Sequence, residues 1–138
     1  MLDKYLWCMR AIKYIPQYTI SDYRQWEGEW ELIDGMAYAM SPSPKRKHQS
    51  LSRRLIIQIS NSIEKQKKHC GECEAFYEFD WIINDDTIVR PDIAIVCDQI
   101  GDFITSPPVL IIEILSPATA LKDRQIKFEI YQEQGVKY

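Results

Sequence analysis

Two acidic residues stand inside apolar stretches and could do chemistry together. Asp92 lies in the stretch 88–96 and Glu113 in the stretch 109–115, each otherwise rich in Ile and Val. A carboxylate in an apolar strand costs several kcal/mol unless a partner compensates for it. A divalent cation held by both acids would compensate, and carboxylate oxygens suit Mg²⁺ or Mn²⁺. The alternatives are a strand-end acid for Asp92 and half of an internal ion pair for Glu113.

Pro91, directly before Asp92, predicts a break in its strand. Proline has no backbone N–H to donate to a neighbouring strand, so we expect the strand to be interrupted or bulged there. Such irregularities re-aim side chains and are common beside active sites.

The predicted last helix could bring a cation to these acids. Asp123, Lys127 and Tyr131 are spaced four residues apart, so they share one face of an α-helix. A lysine on that face could orient the attacking water or neutralise charge in a phosphate-transfer transition state. An acid four residues before a lysine is also an ordinary helix-stabilising pair, worth a few tenths of a kcal/mol.

The first third of the chain is predicted to form a short helix and a β-hairpin. The helix covers 21–26 and begins at Ser21, whose hydroxyl can cap it. Strands at 29–34 and 36–40 flank Asp34-Gly35, a dipeptide favoured in tight turns. The Ser-Pro-Ser-Pro sequence at 41–44 then breaks regular structure.

The remainder of the chain predicts two helices separated by three strands. The helix at 45–68 has an apolar stripe at every fourth residue: Leu51, Leu55, Ile59 and Ile63. Strands follow at 75–83, 87–96 and 109–115, the last apolar on both faces as in a central strand. A final helix at 119–134 ends at Gly135. This order predicts an α/β fold with a mixed β-sheet flanked by helices.

Length and composition fit one globular domain over 1–138, with 1–15 as an N-terminal extension. The chain has 138 residues, of which 46% are apolar and 27% charged. No apolar run is long enough to cross a membrane, and 1–15 lacks the features of a signal peptide. We therefore expect a cytoplasmic protein with no membrane partner.

The four cysteines are accordingly expected to be reduced. Cys70-Gly71-Glu72-Cys73, beside His69, is one C-x-x-C pair without a second one, whereas structural zinc wants four ligands. A helix-ending turn at Gly71 with two free thiols explains this C-x-x-C sequence better than a zinc site does.

The charge is unevenly spread along the chain. The segment 45–69 has eight basic residues and one acid, a charge of +7, and the rest of the chain carries −10. Such asymmetry is typical of a protein with one surface that faces nucleic acid. A solvated helix face would explain it equally well.

These features together resemble the Uma2 family, also called DUF820. The resemblance covers about 16–138 and rests on an ordered set of motifs: Glu-Leu-Ile-Asp-Gly at 31–35, Met-Ser-Pro-Ser-Pro at 40–44 with His48, Arg-Pro-Asp-Ile at 90–93, Glu-Ile-Leu-Ser-Pro at 113–117 with Thr119, Asp123, Lys127 and Tyr131, and Gly135-Val136. The family is abundant in cyanobacteria and is regarded as restriction-endonuclease-like, of the PD-(D/E)XK class.

The resemblance implies roles for individual residues. Asp92 and Glu113 would be catalytic metal ligands, and Glu31 an additional catalytic acid near the metal. The lysine of the nuclease motif should stand two residues after Glu113, where this chain has Leu115. The resemblance implies that Lys127 takes over that catalytic role, with Asp123 and Tyr131 in support.

His48 would open the long helix as a phosphate contact or a donor that faces the site, or else it is a simple surface histidine. The basic residues at both ends of this helix are candidate DNA contacts: Lys45, Arg46, Lys47, Lys65, Lys67 and Lys68. The family pattern continues past Gly135-Val136, so we expect the C-terminal strands of the sheet to be missing.

The predicted function is metal-dependent hydrolysis of DNA phosphodiesters, with Mg²⁺ or Mn²⁺ as cofactor and DNA as partner. Two alternatives stay open. One is an inactive nuclease fold that binds DNA or assists assembly, and the other is a structural α/β protein in which Glu113 pairs with Lys127. By analogy with restriction-type folds, a homodimer is possible.

Overall fold

The computed structural model describes residues 15–40, 45–117 and 122–138, apart from the side chains of 69, 70 and 122–124. It begins with helix α1, Ile20–Tyr23. The sequence predicted Ser21 as the N-cap of this helix, but the N-cap is Thr19. The backbone N–H of Thr19 donates to Asp22 Oδ2 at 2.8 Å. Ser21 is therefore already inside the helix.

The predicted hairpin is present as strands β1, Trp30–Ile33, and β2, Met36–Ala39. Asp34 and Gly35 have φ values of 49° and 74°, the two positive values that a type I′ turn requires. A Cβ at Gly35 would come within 2.6 Å of Gln17 Oε1, so space also favours glycine there.

Helix α2, Arg46–Cys70, is the predicted long helix, and it ends before Gly71. Its half-buried residues Leu55, Ile59 and Ile63 lie on one side, and the helix packs against strand β3, Cys73–Tyr77. Leu51 is 46% exposed, so the predicted stripe is wrong at this residue. Residues spaced by four drift by about 40° per step around a helix of 3.6 residues per turn.

The strands divide between two antiparallel sheets, where one mixed sheet was expected. The first has the order β2-β1-β5-β4 and the second β3-β6-β7. The bounds of the added strands are Cys73–Tyr77 for β3, Trp81–Asn84 for β4, Thr87–Val89 for β5, Ile93–Cys97 for β6 and Leu110–Ile112 for β7. Parallel pairing within the described residues is limited to an isolated bridge between Trp81 and Ile104. The α/β class holds.

Two of the predicted strands each turn out to cross from one sheet to the other. The predicted strand 75–83 is divided between β3 and β4, with Glu78 at a φ of 48° between them. The predicted strand 87–96 is divided between β5 and β6, and the break falls at 90–92. The interruption expected at Pro91 is thus confirmed, and it marks the crossover between the sheets.

Strand β7 is shorter than the predicted strand 109–115, so Glu113 follows its end. On one side β7 pairs with β6. On the other side, the backbone N–H of Ile111 donates to the carbonyl oxygen of Tyr138 at 2.8 Å. The described strands nevertheless place β7 at the edge of the second sheet, so the central position predicted for it is wrong.

The last helical segment combines a π-helical turn, Lys122–Lys127, with helix α3, Phe128–Glu133. Residues 118–121 of the predicted helix lie outside the described residues. Gly135 has a φ of 75°, and the N–H of Val136 donates to the carbonyl of Tyr131 at 3.0 Å. This is the glycine-ended helix terminus that the sequence predicted.

The hydrophobic core is formed by residues of both sheets and of helix α3. Its buried members are Ile33, Trp81, Val89, Val96, Ile104 and Tyr131. No helix among 15–40, 45–117 and 122–138 is long and apolar enough to cross a membrane.

Cys73 and Cys97 are opposite one another on β3 and β6 and form a disulfide. The expectation of reduced cysteines is therefore wrong for this pair, and Cys73 is not a free thiol. Gly71, with a φ of 67°, does end helix α2 as predicted. Sequence spacing missed the pair because 24 residues separate the two cysteines.

Candidate active site

Asp92 and Glu113 lie opposite one another where β6 begins and β7 ends. Ile93 pairs with Ile112 in the β6–β7 register, so Asp92 and Glu113 stand at the next opposed position. The backbone N–H of Ile114 donates to Asp92 Oδ2 at 2.6 Å and ties the two segments together. The fold thus brings together the two acids that the sequence singled out.

His48 adds a side chain from helix α2 to this pair. Its Nε2 lies 3.2 Å from Asp92 Oδ2, and each of the two side chains is 20% exposed. Of the interpretations drawn from the sequence, a donor that faces the site is the one that matches this geometry.

Lys127 occupies the centre of the site and is 1% exposed. Its Nζ lies 2.6 Å from Glu113 Oε1 and 2.9 Å from Glu31 Oε1. It also donates to the backbone carbonyl of Arg90 at 3.0 Å. These three acceptors come from β1, from the crossover after β5 and from the residue after β7, so one ammonium joins both sheets.

Glu31 lies behind the two opposed acids and has no exposed surface. Its Oε1 accepts the backbone N–H of Arg90 at 2.8 Å as well as the ammonium of Lys127. Both contacts satisfy a carboxylate that burial would otherwise make very costly. Glu31 thus binds both Lys127 and the backbone of Arg90, where the chain crosses between the two sheets.

Tyr131 lies one helical turn after Lys127 and also contacts Glu113. Its hydroxyl donates to Glu113 Oε1 at 2.5 Å. Its ring stacks on Trp81 with 6.0 Å between the ring centres, which fixes where the hydroxyl points. Lys127 and Tyr131 share the face that the sequence predicted, whereas the side chain of Asp123 lies outside the described residues.

The electrostatics of the site reflect burial and close pairing. Burial raises the pKa of Glu113 to about 7, although the Lys127 ammonium and the Tyr131 hydroxyl act in the opposite direction. Burial alone would lower the pKa of Lys127, but the negative charges of Glu113 and Glu31 outweigh it and raise that pKa. Lys127 is therefore charged at neutral pH, and Glu113 binds a proton more readily than an ordinary glutamate.

The donor set fits a cation that keeps much of its own water. The described contacts of Asp92 fall on Oδ2 and those of Glu113 on Oε1, which leaves one oxygen of each carboxylate for a ligand. No cluster of three or more His, Cys, Asp or Glu able to hold an ion occurs in the described part of the chain. Mg²⁺ is commonly held by one or two carboxylates together with water and substrate phosphates, so two acids are a sufficient set.

The basic residues of helix α2 separate into two groups. Lys45, Arg46 and Lys47 are exposed and directly precede His48, which contacts Asp92. Lys65, Lys67 and Lys68 are also exposed, but at 1.5 Å per residue they begin about 26 Å further along the helix. Lys67 there pairs with Glu64 at 3.1 Å. The predicted DNA contacts therefore form one group near the acids and one remote from them.

The sequence did not predict that backbone groups would bind the side chains of the site. The N–H of Ile114 holds Asp92, and the N–H and carbonyl of Arg90 hold Glu31 and Lys127. The Arg90 side chain, which had no assigned role, pairs with Asp80 at 3.3 Å and holds the crossover in place. The break expected at Pro91 was the available signal, since interrupted strands leave backbone groups free to bind side chains.

Comparison with known proteins shows that the chain matches a protein family. The Uma2 family, described as "Putative restriction endonuclease", matches residues 20–138. The uncharacterized protein slr1290 of Synechocystis sp. (strain PCC 6803) is 32% identical over 124 residues, which cover 84% of this chain and 63% of that protein. The chain thus spans less than two thirds of the length of this relative.

A solved structure shares the fold. It is described as a putative nuclease belonging to DUF820 from Anabaena variabilis ATCC 29413, with a TM-score of 0.70 and 20% sequence identity. The similarity covers 86% of this chain and 69% of that one. The restriction-endonuclease-like fold expected from the sequence is therefore confirmed, and the chain belongs to the Uma2 family.

Proposed function

We propose that the protein hydrolyses phosphodiester bonds of DNA with a divalent cation, Mg²⁺ or Mn²⁺, held by Asp92 and Glu113. The observation that carries the proposal is the opposed placement of these two acids, tied together by the Ile114 N–H at 2.6 Å from Asp92. Each keeps one oxygen outside its described contacts. Membership of a family of endonuclease-like proteins supports the same reaction.

The charge of the site supports a divalent ligand. When ionised, Asp92, Glu113 and Glu31 carry three negative charges, and Lys127 supplies one positive charge at close range. Two negative charges are left uncompensated in a largely buried site, which is costly. A bound divalent cation would neutralise them.

The roles of the residues follow from their positions. A bound cation would activate a water molecule and polarise the phosphate. Asp92 and Glu113 would hold that cation, and Lys127 and Tyr131 would fix the orientation of Glu113. From its buried position Lys127 would also stabilise the negative charge that develops on the phosphate in the transition state. Glu31 keeps Lys127 charged and in place.

The substrate would approach from the side where helix α2 begins. Lys45, Arg46 and Lys47 are exposed there and directly precede His48. Lysine and arginine contacts with the phosphate backbone give affinity that falls as salt concentration rises. We therefore propose that this group contacts the DNA strand next to the scissile bond, and that Lys65, Lys67 and Lys68 contact DNA further away.

Nicking of supercoiled plasmid DNA tests the proposal. We expect cleavage with Mn²⁺ or Mg²⁺, none with EDTA, and loss of at least about 100-fold in rate in Asp92→Asn and Glu113→Gln, because each removes a ligand charge. Asp102→Asn, at an exposed acid outside the site, is the matched control. Cleavage that persists in Asp92→Asn would refute the proposed site.

One observation favours a second candidate, a structural role for the Glu113–Lys127 pair. The ammonium has three protein acceptors within 3.0 Å, as expected of a self-contained ion pair. The two functions differ in their response to metal. A catalytic site gains thermal stability when Mn²⁺ is added and loses that gain in Asp92→Asn, whereas a structural pair shows no metal-dependent change.

A further inference from the structure

We propose that His48 is a positioning residue that fixes the carboxylate of Asp92 so that Oδ1 is presented to the cation. The proposal rests on the proposed function, because it assigns the support of one of its two metal ligands. It gives the site-facing donor suggested by sequence a specific partner, since His48 acts through Asp92 and not on the phosphate or the metal itself.

The geometry places two donors on the same oxygen of Asp92. Nε2 of His48 lies 3.2 Å from Oδ2, and the N–H of Ile114 lies 2.6 Å from the same atom. The two donors come from different elements, helix α2 and the segment after β7. A carboxylate with both donors on Oδ2 cannot rotate about its side-chain bonds without losing one of them, so Oδ1 has a fixed direction.

The other nitrogen of the ring indicates which tautomer is present. Nδ1 of His48 is buried and has no hydrogen-bond partner among the described residues. In the tautomer that carries its single proton on Nδ1, that proton would be a buried donor without an acceptor among the described residues, which is costly, and Nε2 would have no proton to give to Asp92. Of the two tautomers, the one with its proton on Nε2, directed at Oδ2, therefore fits the geometry.

The position of His48 in the helix also suits this role. It stands in the first turn of helix α2, at residue three of a helix that packs against β3. Strand β3 pairs with β6, which Asp92 immediately precedes. Asp92 therefore receives its second donor from a rigid element that is anchored on the same sheet. Hydrogen bonds of this kind to a ligating group commonly contribute 10- to 100-fold in metal affinity.

Mn²⁺ titration of the purified chain, followed by calorimetry, tests the effect on the metal. His48→Leu removes the donor, and we expect Mn²⁺ affinity to fall by roughly 10- to 100-fold. His48→Gln keeps an N–H donor at a similar distance from the backbone and should recover most of that loss. Gln49→Leu, on the exposed side of the same helical turn, controls for adding leucine there.

A second measurement tests positioning without metal. The backbone amide proton of Ile114 reports its bond to Asp92, and ¹⁵N resonances of the imidazole report the tautomer. We expect the Ile114 resonance to move in His48→Leu and to return towards the native position in His48→Gln. Wild-type protein should show the proton on Nε2.

The two measurements separate the two claims. If wild type binds Mn²⁺ and His48→Leu binds it equally well, His48 does not position the ligand. An Ile114 resonance unchanged in His48→Leu, or a proton found on Nδ1, overturns the inference as well. If wild-type protein gives no Mn²⁺ heat, the proposed function fails and the inferred presentation of Oδ1 to a cation fails with it, while the Ile114 resonance still reports whether His48 orients Asp92.

Discussion

The ammonium nitrogen of Lys127 lies 2.9 Å from Oε1 of Glu31, a carboxylate with no exposed surface. The two residues are 96 positions apart in the chain and belong to the last helical segment and the first strand. The same nitrogen lies 2.6 Å from Glu113 Oε1 in the other sheet region. A single cation therefore compensates two buried acids, and its loss should affect the whole molecule.

Replacing Lys127 with methionine should lower the free energy of unfolding by about 3–5 kcal/mol, because it leaves buried carboxylates without their partner. Urea unfolding at pH 8 measures the effect. Lys137→Met, at an exposed position, is the matched control and should change stability by less than about 0.5 kcal/mol. Adding Glu31→Gln to Lys127→Met should recover part of the loss, and a purely additive double variant would contradict the coupling.

Tyr131→Phe should cost about 1.5–3 kcal/mol, the range for a hydrogen bond to a charged group. The substitution removes the hydroxyl that donates to Glu113 and keeps the ring that stacks on Trp81. Tyr138→Phe, at a side chain that is 81% exposed, provides the comparison. Urea unfolding of both variants should separate them clearly, and equal stabilities would show that the Tyr131 hydroxyl contributes nothing.

The raised pKa of Glu113 predicts a stability that falls as pH rises from about 4.5 to about 7. In that range the folded protein holds a proton on Glu113 that the unfolded chain has released, so unfolding becomes easier with increasing pH. The fall is at most about 3 kcal/mol, by the conversion of 1.36 kcal/mol for each pKa unit. Glu113→Gln should lack this component when unfolding curves are measured across the range.

The same titration should couple to metal binding. A cation competes with the proton for the Glu113 carboxylate, so Mn²⁺ affinity should rise between about pH 6 and pH 8. Calorimetry in two buffers of different ionisation enthalpy would detect the released proton. A pH-independent affinity with no proton release would mean that Glu113 is not a ligand.

Reduction of the Cys73–Cys97 disulfide should lower the free energy of unfolding by about 3.5 kcal/mol, the value that the chain-entropy account gives for a loop of this length. Urea unfolding with and without a thiol reductant measures the difference. The double variant Cys73→Ser with Cys97→Ser should be less stable than wild type and insensitive to reductant. Wild-type curves that coincide in both conditions would show that the bond adds no stability.

Local features of the fold were predictable from the sequence because their causes are local. Asp34-Gly35 determines the hairpin turn through its positive φ values, and Gly135 ends the last helix in the same way. The expected interruption at Pro91 is also present. The division of 75–83 into two strands was not predictable, because Glu78 and Asp80 alternate with apolar residues as in a single half-exposed strand, and the turn at Glu78 depends on a residue type that rarely adopts a positive φ.

The candidate site was predictable in its residues and not in its contacts. Asp92 and Glu113 stood out because a carboxylate in an apolar strand requires a partner. The bond between His48 and Asp92 joins residues 44 positions apart, and no spacing rule reaches that far. The contacts of Lys127 with Glu31 and with the Arg90 carbonyl likewise depend on how two sheets meet, which only the folded chain determines.

The shared cation at position 127 has a consequence for how the sequence can change over time. A substitution at Lys127 alone leaves two buried acids without their partner, and a substitution at Glu31 alone removes one of the contacts that anchor the lysine. We therefore expect the residues at positions 31, 113 and 127 to covary among relatives, so that all three are retained or all three are replaced. A relative with an apolar residue at all three would have exchanged the charges for ordinary packing.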